Sequence, residues 1–461
     1  MSRSSLLSRG CTDLVICIAL LCAWTTHAQV PIAATPPEAA PASVPATGLT
    51  LEQAIATALA NDPVYHAALA ASGSAQLDAA LSRDALLPNA AAHGDYLFTQ
   101  PNGLRNQAGQ TGNQQAPRFI ANNAIREYAA QILVNEDINL ASIAGYRRSR
   151  ALAAQSAADL ESARRDLVSR VVASYFGVVS TADKVDVARR ALDESRAFVE
   201  LTNKLESGRE VAHADVVKAD LEFQQRQREF DDATLAAEKA RLDLGVLLFP
   251  DPRTPYTLAA QNRSPEALPD QTTVEAAASR NNPDLRSALE ALHAAHSETL
   301  TARAAYLPSL GFNYTYGIDA PQFAVNGPDR VRNLGYSASA SVDFPLWDWF
   351  ATHDRVRQAE LHEKATQAAL TTTQRQLIAQ LDEFYHEARV AFDQVASLRV
   401  SVDTARESLR LTRLRYSAGE ATALEVVDAQ SSVAQAEAAL ADGILRSHVA
   451  RADLQTLTGT L

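Results

Sequence analysis

Cysteine is missing from almost all of this 461-residue chain, because its three cysteines are Cys11, Cys17 and Cys22. Beyond them, no Cys-based metal site is possible. A chain with no thiol after its first segment also suits an oxidising compartment, where a stray thiol is a liability. Cys22 is disfavoured as a lipid attachment site, because leucine rather than a small residue precedes it, and the sequence leaves the question of lipidation open.

Long apolar runs are also lacking. The most apolar one, Leu14 to Trp24, is far shorter than the roughly 20 residues that a membrane-spanning helix needs. Basic Arg3 and Arg9 precede this run and the small residue Ala28 follows it, which is the pattern of a signal peptide. The sequence therefore predicts a signal peptide over residues 1–28 and no transmembrane helix.

An excess of basic charge and the motifs of enzymes are missing as well. The chain has 54 acidic residues against 42 Lys and Arg, a net charge of -12, so nucleic acid is not expected as a partner. There is no Gly-rich phosphate loop and no nucleophile elbow, and no catalytic residue, cofactor or enzyme activity is predicted. His293 and His296 lie three apart and resemble a metal pair, but without an evident third ligand no metal site is predicted.

What the chain does contain is an internal repeat. The sequence NDP at 61–63 returns as NNP at 281–283, and the Leu-Pro pair at 87–88 returns at 307–308. A repeat of about 200 residues indicates a duplicated domain rather than a short solenoid unit. The predicted divisions are a Pro/Ala-rich lead-in over 29–48, a first repeat over 49–262 and a second repeat over 263–461.

Each repeat contains two stretches in which apolar and polar residues alternate. These predict strands at about 308–319 and 334–345 in the second repeat, and fainter ones at about 88–99 and 124–135 in the first. Alternation over about ten residues is typical of a membrane-barrel strand with one apolar and one wet face.

A long helical hairpin follows each strand pair, predicted over 142–248 and 352–459. Between Leu377 and Thr412 the apolar residues are spaced alternately four and three apart, which is the seam of a coiled coil. The first helix of each hairpin would be on the order of 100 Å long. Many seam positions are alanine, which buries little area per residue, so these helices need neighbours.

Four strands per chain are too few to close a barrel, and lipid does not tolerate an open sheet edge. Three copies would supply twelve strands, an even number within the range of outer-membrane barrels. The sequence therefore predicts a mainly α chain with membrane β-strands, which assembles as a homotrimer. The long helices of three copies would continue the tube.

Three segments resemble the TolC-type outer-membrane efflux proteins: LTLEQAIATALANDP at 49–63, YSAGEATALEVVDAQ at 416–430 and ADLQTLTGTL at 452–461. The resemblance covers nearly the whole chain after the signal peptide. It implies a trimeric twelve-stranded β-barrel in outer-membrane lipid, continuous with a periplasmic α-helical barrel. It also implies a passive exit duct for efflux pumps or type I secretion systems, working with a periplasmic adaptor and an inner-membrane transporter.

The resemblance implies a periplasmic gate. In the family, carboxylates six and nine residues after the glycine of the second helical turn line the constriction that closes the duct. Counted from Gly419, these are Glu425 and Asp428. In a trimer they would form two acidic rings, which select cations and whose mutual repulsion raises their pKa. The alternative is that both are ordinary solvated acids at a helix N-terminus.

The resemblance also implies a tether and two docking tips. Asp215 matches a family aspartate that joins the two hairpins, and Tyr416 matches its tyrosine partner. The turns at Gly208 and Gly419 would contact the adaptor. Because Gly208 lies seven residues before Asp215, one more than in the second repeat, we expect the first turn to be longer.

One family residue is missing. The position of the arginine that locks the closed state is Ala421 here, and Arg209 or Arg415 are its candidate substitutes.

A rival interpretation is a periplasmic adaptor that bridges two membranes with a helical hairpin. Adaptors carry one hairpin flanked by compact β-domains, whereas this chain has two equal copies, each with a strand pair of membrane type.

Trp347, Trp349 and Phe350, just after the last strand, are expected to anchor the barrel rim at the membrane interface.

Overall fold

The computed structural model describes residues 48–98, 126–259, 267–327 and 330–459. Outside them lie the predicted signal peptide with its three cysteines, most of the lead-in, and the predicted strand ends at 99 and 124–125. The chain divides into two units. The smaller one, as far as it is described, is a parallel bridge between Leu49 and Leu258. All elements below belong to the larger unit, Thr50–Pro255 and Gln261–Leu461.

The larger unit repeats one order of elements. In the first half these are α1 Leu51–Asn61, α2 Pro63–Asp84, β1 Asn89–Phe98, β2 Arg126–Ile138, α3 Leu140–Ser207 and α4 His213–Leu248. In the second half they are α5 Gln271–Asn281, α6 Pro283–Ala304, β3 Ser309–Ala320, β4 Leu334–Asp343, α7 Ala351–Ser417 and α8 Ala423–Thr458. Two short helices, a strand pair and a long hairpin therefore occur twice, which confirms the predicted fold class. In the described residues, no helix combines the length and apolarity needed to cross a membrane.

The Asn-x-Pro motifs separate the two short helices of each half. The side chain of Asp62 accepts a hydrogen bond from the Tyr65 N–H at 2.7 Å, and Asn282 accepts one from the Leu285 N–H at 2.8 Å. Proline follows each cap at the first helical position, where its fixed φ fits and its missing N–H costs nothing. The motif therefore ends one helix and starts the next.

The four strands form one antiparallel sheet in the order β1-β2-β3-β4. Tyr96 lies opposite Tyr128, Ile132 opposite Tyr316, and Tyr316 opposite Tyr336. Because paired residues share a face, most apolar positions of the four strands lie on one side of the sheet. This side, the apolar face, is mostly exposed: Tyr336 keeps 75% of its surface accessible, whereas Ile318 and Ala320 are buried. An exposed apolar surface of this extent marks an interaction site.

The other side of the sheet is polar. Its residues include Gln131, which donates a hydrogen bond to Asp319 of the adjacent strand at 3.1 Å, and Ser339, which lies opposite Asn313. The sheet thus has the two faces that the alternating pattern predicts for a barrel wall.

The long helices pack along narrow seams. The predicted seam residues Leu381, Ala388 and Ala391 of α7 are buried in one cluster with Ala450 and Leu454 of α8. Alanine at these positions lets the helices approach closely but buries little apolar area. Polar contacts between helices therefore contribute to their alignment.

A carboxylate of α8 joins three of the long helices. Glu437 is only 9% exposed and accepts hydrogen bonds from Arg190 of α3 at 2.6 Å and from Arg406 of α7 at 2.5 Å. Burial acts to raise the pKa of Glu437, but the hydrogen bonds and charges of the two arginines outweigh it and lower the pKa. The carboxylate therefore stays ionised and holds α3 and α7 against α8.

We expect Glu437→Ala to lower the free energy of unfolding by about 1–2 kcal/mol, because the two arginines lose their shared, nearly buried partner. Both arginines are half exposed, which limits the effect. Because the pKa of Glu437 is lowered in the folded chain, this stability is present at neutral pH. It is lost as the pH falls below the usual glutamate value of 4.5.

Urea unfolding in detergent, followed by the helical circular dichroism signal, measures this difference. The matched control is Glu407→Ala, which removes an exposed ion pair between Glu407 and Arg410 within α7 and should change stability little. Equal effects of the two substitutions would mean that Glu437 does not link the helices.

Candidate gate at the helical turns

The two hairpin turns have the same length, so the expected longer first turn is wrong. Tip 1, residues 208–212, connects α3 to α4, and tip 2, residues 418–422, connects α7 to α8. The left-handed position is Gly419 in tip 2 with φ of 77°, and Arg209 in tip 1 with φ of 60°. Gly208 precedes this position. The spacing from Gly208 to Asp215 is longer because Gly208 lies one residue before the left-handed position. Tip 1 itself contains no extra residue.

Both tips are closed by the same hydrogen bonds. The Glu210 N–H donates to the Leu205 carbonyl, and the Glu420 N–H donates to the Arg415 carbonyl, each at 2.8 Å. This closure of a helix C-terminus needs a left-handed residue. Glycine adopts that conformation freely, whereas a side chain such as that of Arg209 costs roughly 1–2 kcal/mol.

Glu425 is the third residue of α8 and forms a capping box with Thr422 at the start of this helix. Its backbone N–H donates to the Thr422 hydroxyl at 3.3 Å, and its carboxylate accepts from the Thr422 backbone N–H at 3.1 Å. Arg415 lies against the same carboxylate at 3.4 Å and also donates to the Glu420 carbonyl at 3.1 Å. The Thr422 backbone and side-chain hydrogen bonds, with a smaller contribution from Arg415, lower the pKa of Glu425.

These contacts distinguish the two candidate substitutes for the family arginine, whose position is occupied by Ala421. Of the two candidate substitutes, Arg415 spans tip 2 and contacts a predicted gate residue, whereas Arg209 occupies the left-handed position of tip 1. Arg415 reaches this place from the last turn of α7, on the other side of the turn from Ala421.

Asp428 lies one turn after Glu425 on the exposed side of α8. The intervening Val426 and Val427 are buried with Phe198 and Tyr416 between the two hairpins. The two carboxylates therefore face away from this cluster. Glu425 is engaged by the cap and by Arg415, while none of the described residues caps the Asp428 carboxylate.

The predicted tether residues lie near each other without a hydrogen bond. Tyr416 is buried and packs against Phe198 with the ring centres 5.2 Å apart. Its hydroxyl has no hydrogen-bond partner among the described residues. Burial raises the pKa of Tyr416, and the charge of Asp215 raises it further. The tether itself stays a prediction.

The two histidines considered as a metal pair each face a single carboxylate. His293 contacts Glu290 at 3.2 Å, and His296 contacts Glu363 at 2.9 Å. Across the described ranges, no three His, Cys, Asp or Glu side chains come together as a set that could hold a metal ion.

Comparison with known proteins points to one family. Residues 276–460 match the family described as outer membrane efflux protein. The alkaline protease secretion protein AprF of Pseudomonas aeruginosa is 24% identical over 386 residues, which are 82% of this chain and 77% of AprF. The chain is homologous to outer membrane efflux channels of the TolC type. The pyoverdine export outer membrane protein OpmQ of the same organism is 30% identical over 191 residues, 39% of each chain.

The fold of this efflux protein matches solved channels. The open state of the MtrE outer membrane channel of Neisseria gonorrhoeae superposes with a TM-score of 0.74 at 20% identity, covering 89% of this chain and 88% of MtrE. The predicted outer-membrane channel of efflux or secretion systems, with a large helical periplasmic part and no enzyme activity, is confirmed. The rival interpretation as a periplasmic adaptor is set aside.

Three arginine contacts were not predicted from the sequence, two to Glu437 and one to Glu425. The two arginines that contact Glu437 belong to α3 and α7, which are far apart in the chain. No local sequence pattern could therefore predict their contacts with Glu437. The contact between Arg415 and Glu425 crosses the five-residue tip 2. These two residues have opposite charges and lie on either side of the YSAGE segment, and this pattern was the signal that could have predicted their contact.

Proposed function

We propose that three copies of this efflux protein form one continuous duct, with its outer part in lipid and its helical part in the periplasm. Channels of the family form trimers within efflux or secretion systems. The observation that carries the proposal for this chain is its four-stranded sheet. The sheet has one exposed apolar face, and its outer strands β1 and β4 each have one free edge in the described residues. Pairing β4 of one copy with β1 of the next would satisfy these edges.

The gate in this proposal is formed by Glu425 and Asp428 of three copies. Both carboxylates are exposed in the single chain, and both follow tip 2, where the helical part ends. Arg415 compensates part of the charge of Glu425, so Asp428 supplies the larger share of the uncompensated negative charge. The resulting acidic mouth favours cations over anions.

The tether in this proposal is a hydrogen bond that Tyr416 donates to Asp215 in the closed state. Its support is the buried hydroxyl, which has no hydrogen-bond partner in the part of the chain that the structure describes, and the effect of the Asp215 charge on the same hydroxyl. A buried unpaired hydroxyl costs free energy, so closure would recover that cost by forming the bond.

The partners in this proposal are a periplasmic adaptor and an inner-membrane transporter that supplies the energy. The adaptor would contact tip 1 and tip 2, which present the exposed Gly208 and Gly419. Small residues leave the turn backbone accessible to a partner. Co-purification of a transporter with the full-length protein, through the adaptor, tests the function as a whole.

We expect Gly208→Trp and Ala418→Trp to reduce export by about tenfold, the usual effect of blocking a central interface contact. The two residues are equivalent, and both have ordinary right-handed backbone angles, so the loss would not arise from a forbidden conformation. Gly419 is left unchanged, since its φ of 77° strains any larger residue. Export assays and trimer yield in outer-membrane fractions give the measurement.

The matched control is Ser401→Trp, an equally bulky change at an exposed position within α7. It should leave export unchanged. If the tip variants lose trimers together with export, the tips are structural caps only, and their role in docking is wrong.

A further inference from the structure

A groove with basic walls lies along α8, between α3 and α7. Its cavity measures about 600 Å³, which is within the range of sites for small organic ligands. Although the chain has a net charge of -12, four arginines and only two glutamates line this groove. It is therefore a local reversal of the overall charge and attracts anions. The four are Arg190 of α3 and Arg406, Arg410 and Arg413 of α7.

Glu437 compensates two of these arginines. It pairs with Arg190 and Arg406 at one end of the groove. Arg410 and Arg413 lie closer to tip 2 and bond elsewhere. Because residues three apart on a helix are neighbours, these two guanidinium groups line the same stretch of the groove.

Arg410 and Arg413 keep donors for a further anion. A guanidinium has five N–H donors. Toward the described residues, Arg410 donates two hydrogen bonds to Glu407 of its own helix, and Arg413 donates one to Glu194 at 3.2 Å. The side chains of Arg410 and Arg413 are 59% and 40% exposed. A carboxylate in the groove can therefore accept hydrogen bonds from both.

The floor of the groove is apolar. Val187 of α3, Leu409 of α7 and Val433 of α8 line it and are buried. Gln430 also lines the groove, and its buried side-chain oxygen has no hydrogen-bond partner among the described residues. A buried polar atom without a partner is uncommon, so the chain alone does not satisfy this floor. The groove thus combines positive charge at its rim with apolar surface beneath it.

The groove opens away from the proposed gate. Residues two apart lie about 200° apart around a helix, so Gln430 and Asp428 are on nearly opposite sides of α8. A ligand in the groove would therefore not lie where the proposed gate carboxylates meet.

We propose that this groove binds a small organic anion, a carboxylate carried on an aromatic or alicyclic body. The carboxylate accepts hydrogen bonds from Arg410 and Arg413, and the body packs against Val187, Leu409 and Val433. Because these residues belong to both hairpins, the ligand stabilises the arrangement of α3 against α7 and α8. Every lining residue belongs to one chain, so the site needs no second copy and goes beyond the proposed duct.

Titration calorimetry with 2-naphthoate tests the site. The full-length protein is kept in a non-ionic detergent, and titration into the detergent alone is the blank. For a probe of this size we expect saturable binding with a Kd of about 1 mM or lower. The neutral isostere 2-naphthamide should bind about tenfold more weakly, because it cannot form charge-assisted hydrogen bonds with the guanidinium groups.

Two variants remove the charge and the space separately. Arg410→Gln with Arg413→Gln should weaken 2-naphthoate binding about tenfold, with little effect on folding, since both arginines make exposed ion pairs. Ala434→Phe fills the groove that Ala434 lines and keeps all four arginines, and it should also remove binding, because the ring takes the space of the ligand body. The matched control is Arg375→Gln, an exposed arginine of α7 outside the groove, which should bind as the unchanged protein does.

Three results would overturn the proposal. These are no saturable binding of 2-naphthoate to the unchanged protein, equal binding of 2-naphthamide, and binding that survives both variants. If the arginine variant instead loses co-purification of the adaptor while the unchanged protein binds no 2-naphthoate, the groove takes an acidic protein partner. Each of these results leaves the proposed duct standing, because neither the sheet nor the gate contributes to the groove.

Discussion

Replacing Ala340 by arginine should abolish the trimer and prevent membrane insertion. Ala340 lies in the middle of β4 on the apolar face, opposite Phe312. A charged side chain on the lipid face costs roughly 2–4 kcal/mol near the bilayer midplane, and a trimer would carry three of them. A gel of unheated outer-membrane fractions should lose its heat-labile trimer band.

The neighbouring residue supplies the control. Ser339→Arg introduces the same side chain one residue away, where it points to the polar face. If the apolar face contacts lipid, Ser339→Arg should assemble and Ala340→Arg should not. Normal trimers of the Ala340→Arg variant, or a stable inserted monomer of the unchanged chain, would contradict the architecture.

The second large effect concerns ion selectivity. The double variant Glu425→Ala with Asp428→Ala should strongly weaken cation selectivity in planar-bilayer conductance and remove block by multivalent cations. Rings of carboxylates at a constriction concentrate cations and bind multivalent ones far more tightly than monovalent ones. Solvated carboxylates outside the pore would scarcely affect its field, because salt screens them.

Single variants separate the two carboxylates. Because Arg415 contacts Glu425 at 3.4 Å, Asp428→Ala alone should cause most of the loss in selectivity. Arg415→Ala should raise cation selectivity by leaving Glu425 uncompensated. Unchanged selectivity and unchanged cation block in the double variant would place both residues off the permeation path.

The cation selectivity of the channel should depend on pH in one direction, falling as the pH falls. A carboxylate becomes neutral as the pH falls through its pKa, so acidification should lower cation selectivity in the unchanged channel but not in the double variant. The Thr422 hydrogen bonds lower the pKa of Glu425, while repulsion within the assembled rings acts in the opposite direction.

Much of the fold was predictable because it rests on simple periods. The alternation along β3 and β4 has a period of two, and the seam from Leu381 to Leu409 has the spacing of a coiled coil, so local sequence was sufficient. Because the order of elements is duplicated, the helices and strands predicted in one half could be compared with those predicted in the other. The sheet order and the shared apolar face then followed from pairing neighbouring strands.

The turn geometry was not predictable from spacing. Glycine normally marks the left-handed residue that ends a helix, and in tip 2 Gly419 does so. In tip 1 the left-handed residue is Arg209, one position after Gly208. Only the backbone angles reveal that both turns have five residues.

The gate and tether residues were predicted from the family resemblance, and their electrostatic surroundings were not. A spacing of six and nine from Gly419 selects Glu425 and Asp428, but it does not say that Thr422 and Arg415 engage the first of them. Nor does it say that, within the described ranges, the Tyr416 hydroxyl has no hydrogen-bond partner. Such contacts depend on side-chain positions across two hairpins.

The number of chains in the assembly extracted from the outer membrane tests the central proposal most directly. Native mass spectrometry of the full-length protein, purified in mild detergent from that membrane fraction, gives this number. We expect one dominant species of three chains that dissociates on heating, because three sheets are needed to close a twelve-stranded wall. A dominant monomer in that fraction would contradict the proposed duct.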